Sequence, residues 1–185
     1  MASTTVDEGE EARDKLLRGV KKEVKQLMEE AVTRKFVHEE SSTITALCGA
    51  VEACLQHGLR KRSLGLFKNS TTTALLQKVS KNCGSAADVI RMLSEIEQNN
   101  ENVRKSVDSN KNQTSLSSSR KTPYNPKYMW IRLALFEKQL AKILEYLVTN
   151  SSKYYEKDAL IADPCDGPTL ATLLVGPCAL DYTKM

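Results

Sequence analysis

Leu16, Val20, Val24, Leu27 and Ala31 recur at helical spacing near the start of the chain, and Leu17, Met28 and Val32 widen the stripe. Arg18, Lys21, Lys22 and Lys25 fall beside or opposite it, which predicts an amphipathic helix over about 11–37. Residues 1–10 show no such period and read as a flexible acidic lead-in. A second helix is expected after Ser41 or Ser42, either of which can cap it, with Ile44, Leu47, Cys48, Val51, Cys54 and Leu55 as its apolar face. Gly58 sits where a helix-ending glycine belongs, and Leu59 follows as its hydrophobic contact. A short helix is expected at 71–81 around Ala74, Leu75 and Val79. Another should start at a Ser85 cap, with Asp88 three residues on, and be carried forward by Val89, Met92, Leu93 and Ile96.

Beyond Glu97 the apolar content collapses. Residues 98–122 are dominated by Asn, Ser, Lys and Thr without a period and read as a long flexible loop inside the domain. Asn125 and Pro126 then form a start signal, a capping side chain followed by proline at the first helical position. Leu133, Phe136, Leu140, Leu144 and Leu147 share one face, Trp130 stands at its margin, and Ile131 and Leu135 project from another side. A helix apolar nearly all round is surrounded by neighbours, so 126–149 is expected to be one unbroken central helix. SSKYYEKDALIADP reads as a further helix capped by Ser151 or Ser152 and ended before Pro164. Pro168 should stand at the start of the last, which runs through Leu170, Leu173 and Leu174 until Gly176 and Pro177 punctuate it. The expected fold is all-α, a single globular bundle with its domain over 11–185.

Composition changes this picture little. The 185 residues are 41% hydrophobic, and 27 Lys and Arg stand against 23 Asp and Glu, a formal charge of +4 that demands neither nucleic acid nor membrane. The distribution is more informative, because residues 60–81 hold Arg60, Lys61, Arg62, Lys68, Lys78 and Lys81 and no acid. Phe67 is the lone aromatic in that tract, whereas nucleic-acid surfaces interleave bases with aromatics, so no nucleic-acid partner is expected. Five scattered cysteines fit a reducing compartment. The first ten residues lack a basic and an apolar segment of the signal-peptide kind, which points to the cytoplasm.

The stretch VEACLQHGLRKRS raises the question of chemistry, because Cys54 stands three residues before His57 with Arg60, Lys61 and Arg62 behind them. Cys54 lies on the apolar stripe and His57 in the last helical turn, where a positive charge is favoured, and one Cys–His pair does not close a metal site. Phosphate-loop, paired-histidine metal and nucleophile-elbow motifs do not occur. No catalytic residue, metal or cofactor is expected, and the chain reads as a non-catalytic protein-interaction module. Arg132 is expected to pack its stem and pair its head with a carboxylate or carbonyls, with direct partner contact as the alternative.

Five blocks carry a likeness to a known family: LLRGVKKEVKQLMEEAVTRKFVHEESS, ALCGAVEACLQHGLRKR, MWIRLALFEKQLAKILEYL, YYEKDAL and LLVGPCALDY. With its HGL motif at His57, Gly58 and Leu59 and its W-x-R motif at Trp130 and Arg132, the chain resembles a RUN domain. Within that class it is similar to the small G protein signalling modulators, whose longer chains join an N-terminal RUN domain to a TBC-type GTPase-activating domain. The likeness spans about 11–185 and lapses between Glu97 and Thr122. It implies a bundle of about eight helices in which Gly58, Trp130, Arg132 and Tyr155 are structural, and a role in binding Rap and Rab GTPases on vesicle or Golgi membranes. The first and late helices supply the binding surface in related complexes. Arg18, Lys21 and Lys25 on the first helix, with Arg60, Lys61 and Arg62, are the expected partner-binding residues. The rival reading is a module for anionic membranes or phosphoinositides, in which the 60–81 tract meets the headgroups.

Overall fold

Helices account for nearly all of the regular structure in the computed structural model, which describes residues 4–60, 71–108 and 128–183. Among these residues are eight α-helices: α1 (Thr4–Arg34), α2 (Ser42–Gln56), α3 (Thr72–Val79), α4 (Gly84–Asp108), α5 (Met129–Phe136), α6 (Leu140–Thr149), α7 (Asp166–Leu173) and α8 (Val175–Ala179). Two-residue strands β1 (Val37–His38) and β2 (Tyr182–Thr183) pair in parallel, Val37 against Tyr182 and His38 against Thr183. The all-α fold expected from the pattern, and the bundle of about eight helices that the RUN likeness implies, are therefore what the described residues form.

One core runs through every layer. Leu17, Val20 and Leu27 of α1 are buried against α2, whose six expected apolar positions are all buried. Ser41 caps α2 by accepting the Thr43 N–H (3.3 Å). The Ser41 and Thr43 hydroxyls both donate to Glu30 of α1, which fixes the corner between the two helices. Arg13 ties the other end of α1 to the start of α7, with its Nε 3.0 Å from an Asp166 oxygen and Nη2 3.5 Å from Asp163. Asp163 in turn accepts the N–H groups of Cys165 and Asp166, each at 2.9 Å, and so caps α7.

Several expectations need correction. The lead-in is helical from Thr4, consistent with acids at 7, 8, 10 and 11 favouring the positive end of a helix. The same helix ends at Arg34 rather than 37, because Lys35 takes a left-handed conformation (φ 62°) and turns the chain into β1. Val32 does not widen the buried stripe but is 79% exposed. Cys83, not Ser85, precedes the fourth helix: Cys83 O accepts the Ala87 N–H, which places Ser85 inside the first turn. Helix α4 continues to Asp108, well into the expected loop. Extending an existing helix fixes one residue per bond, and Glu, Arg and Lys in ENVRKSV favour it. The rest of that loop, with Asn125 and Pro126, lies outside the described residues.

The expected central helix is two helices. Lys138 is left-handed (φ 58°), its N–H reaches Leu135 O (3.1 Å), and the Gln139 N–H reaches Ala134 O (2.8 Å). These paired bonds are the helix-ending motif in which glycine is usual, here built on lysine. The described part begins at Met129, with Tyr128 in a left-handed conformation before it. Trp130, Ile131, Leu133, Ala134 and Leu135 bury α5 on nearly every side, and Phe136 is half-buried against the Tyr182 ring at 4.8 Å. The segment after Asn150 is likewise not an α-helix. It makes 3-10 turns at Ser151–Lys153 and Leu160–Ala162, and between them it runs extended beside residues 58–60. Backbone bonds from Arg60 N to Tyr154 O (3.0 Å) and from Glu156 N to Gly58 O (2.8 Å) replace the helical ones. Pro168 falls in the first turn of α7, and Gly176 and Pro177 lie inside α8 rather than after the last helix.

Candidate functional site

The four motif residues lie in the interior or against it. Gly58 has φ 64°, and a Cβ there would meet Ala159 Cβ at 2.4 Å and its Cα at 2.8 Å, so the glycine serves both the turn and the close approach. Tyr155 is buried and donates its hydroxyl to Leu55 O at 3.1 Å, and burial raises its phenol far above the ordinary range. Trp130 Nε1 donates to Thr72 Oγ1 (3.0 Å), and Thr72 donates onward to Glu52 (2.6 Å), so the indole anchors α5 to α3 and α2. Among the described residues Arg132 pairs with neither a carboxylate nor a carbonyl. Its Nη2 donates to Thr45 Oγ1 (2.7 Å) and its Nε is buried without a partner among the described residues.

Cys54 and His57 do not form a reactive pair. Burial pushes the Cys54 thiol up to about 12, which keeps it protonated. His57 is the residue that ends α2, and its Nδ1 accepts the Leu160 N–H (3.0 Å), which places the ring proton on Nε2. The imidazole thus fastens the end of α2 to the 160s. Among the described residues no group of three or more His, Cys, Asp or Glu is gathered for a metal ion.

The surface of α1 has a different character. Arg18, Lys21 and Lys25 are exposed and stand at i, i+3 and i+7, and the same stripe continues through Met28 and Val32. Three cations therefore run into an apolar end along one helical face. Their local partners are few: Arg18 Nε reaches Asp14 O (3.3 Å), and Lys25 stands 3.8 Å from Glu29 with both groups in water. Exposed pairs of this kind hold a side chain only weakly. Lys25, Met28, Glu29, Val32 and Thr33 enclose a shallow hollow of about 320 Å3. From α8, Gly176 approaches Met28 closely enough that a Cβ would sit 3.8 Å from its sulfur, and the preceding Val175 is 58% exposed.

Arg60 does not join that stripe. Its Nη1 donates to Ser152 O (2.9 Å) and its Nε stands 3.5 Å from Glu156, so it braces the segment after α6. Lys61 and Arg62 lie outside the described residues. Val175 was missed by sequence reasoning, because a valine beside Gly176 and Pro177 reads as the end of a core helix until the packing of α8 is known.

Residues 46–185 match the RUN domain. The chain belongs to the RUN domain family. This RUN domain is 56% identical over 182 residues to small G protein signaling modulator 1 of Homo sapiens, an alignment covering 95% of this chain and 15% of that protein. Small G protein signaling modulator 2 of Mus musculus is 52% identical, covering 94% of this chain and 18% of its own length. The Rab GTPase-activating protein tbc-8 of Caenorhabditis elegans is 34% identical, covering 94% and 17%. The chain therefore spans less than a fifth of these curated relatives. The family match starts within α2, but the alignments to the modulators take in nearly all of the chain, and so most of α1 with its stripe.

Proposed function

We propose that this RUN domain is a non-catalytic docking module for Rap or Rab GTPases within a longer RUN–TBC regulator, acting at vesicle or Golgi membranes. The relatives' names supply the partner class, modulation of small G proteins in two and Rab GTPase activation in the third. The observation that carries the reading is the α1 stripe, in which Arg18, Lys21 and Lys25 lead into Met28 and the exposed Val32. Exposed apolar side chains beside weakly engaged cations suit a protein partner that offers an apolar patch rimmed by acids: burial supplies affinity and charge supplies orientation and encounter rate. The core motif residues are already committed to holding the bundle.

Titration of the 185-residue domain with GTP- and GDP-loaded Rap and Rab proteins tests this. Saturable binding that drops by about tenfold or more in the Lys21→Glu, Lys25→Glu double variant is expected. Absence of saturable binding across the panel overturns the reading. The membrane alternative has weaker support. Arg60 is held by Ser152 and Glu156, and Lys78 lies over the Tyr154 ring at 5.8 Å, so two of the cations in that tract are engaged within the domain.

A further inference from the structure

A groove of about 600 Å3 runs between α6 on one wall and α7 with α8 on the other. The α6 wall presents Ala141, Lys142, Glu145 and Val148, spaced as successive turns of one helical face, with Lys138 just before the helix. The opposite wall repeats that spacing with Pro168, Ala171, Thr172, Val175 and Cys178, and Leu174 between the two helices stays in a helical conformation, so the face carries across. Small residues line both walls, Ala141 on one and Ala171 and Cys178 on the other. The close seating of α7 at one end depends on Gly167, where a Cβ would meet Ile161 O at 2.7 Å and Val148 Cγ2 at 3.2 Å.

We infer that this groove receives an amphipathic helix of a partner protein, at a site separate from the cationic stripe of α1. Two helical walls with matched spacing form the cleft that a third helix occupies when it inserts apolar residues at i, i+3, i+4 and i+7. The ten residues of α6, Leu140–Thr149, span about 15 Å at 1.5 Å per residue, room for nearly three turns of the incoming helix. Charge selects its composition and orientation. Lys142 is exposed, and among the described residues Lys138 pairs with Asp181 at 2.9 Å, itself 93% exposed, so both lysines can turn to acids on the incoming helix near the start of α6. Glu145, one turn further, calls for a base. The occupant is thus a helix with an apolar stripe, acids flanking one end and a base about a turn inward.

A fluorescein-labelled helical peptide of about 18 residues serves as the probe, with leucines on the stripe, glutamates flanking one end and a lysine a turn inward. Fluorescence anisotropy should show saturable binding in the range of about 10 µM, weakened about tenfold or more by Ala171→Trp, which fills the floor. Thr172→Trp, at an exposed position on the rim, does the same without touching the interior. Lys142→Glu should weaken the probe, and a peptide with its charges reversed should recover the loss. The Lys21→Glu, Lys25→Glu variant should bind the peptide normally, which separates this site from the GTPase face. No saturable binding, or binding that neither tryptophan nor Lys142→Glu alters, overturns the inference. Concentration-dependent dimerisation of the chain that Thr172→Trp abolishes overturns it too, since the occupant would then be a second copy.

Discussion

At the scale of single residues, Gly58 is the position where chemistry leaves least choice. It combines a left-handed backbone with an Ala159 contact that admits no Cβ. Gly58→Ala should therefore destabilise the domain by about 2–4 kcal/mol, from the conformational cost together with overpacking, read as a lower urea midpoint at unchanged slope. A change within about 0.5 kcal/mol would mean that the turn relaxes freely. Gly58 was legible in the sequence because a glycine after the last apolar position of a helix has a local cause. Arg132 was legible only as a packed cation. Its actual partner, Thr45, lies 87 residues away, and no spacing rule relates the two. His57 carries the same lesson, since its acceptor role depends on Leu160, which is distant in sequence.

At the scale of elements, the decisive case is the break between α5 and α6. The apolar period runs through it without interruption, so the pattern alone argues for one helix. Lys138 in its left-handed conformation sets the end of α5, and the test turns on the sign of a comparison. Lys138→Gly should be more stable than Lys138→Ala by about 1 kcal/mol, because glycine takes that conformation without strain. The comparison removes the Asp181 ion pair from both arms. In an uninterrupted helix the order would reverse, with alanine ahead by about 1 kcal/mol. Within α6, Leu140→Ala should cost about 2–5 kcal/mol, since Leu140 is fully buried. Lys142→Ala, at an exposed position, should stay within about 0.5 kcal/mol. Equal small losses in the two denaturation curves would place the core elsewhere.

At the scale of the whole molecule, long-range polar contacts at the two ends of α1 make stability depend on pH. The Asp166 and Cys165 N–H groups, with Arg13, hold the Asp163 carboxyl below its ordinary range against the opposing effect of burial. The Thr43 hydroxyl, then Ser41 and Arg34, do the same for Glu30. A carboxyl with a lowered folded pKa stabilises fully above its unfolded value of about 4, and that contribution is lost as pH falls through the folded value. Asp163→Asn keeps an oxygen for the α7 cap but removes the charge. Its deficit against the parent should be largest near neutrality and shrink on acidification below about pH 4, measured by urea unfolding across pH. A deficit independent of pH would assign the effect to packing instead. The sequence by itself determined the all-α class, the buried face of α2, the turn at Gly58 and the cationic stripe on α1, because each follows from period, propensity or a cap within a few neighbouring residues. Tertiary structure decided the division of α5 from α6, the extended run of 154–156 against 58–60, the β1–β2 pairing, the exposure of Val32 and Val175, and the groove beside α8. Each of those depends on which distant backbone or side chain arrives to satisfy a hydrogen bond or to leave an apolar surface uncovered, and that is settled only when the whole chain has packed.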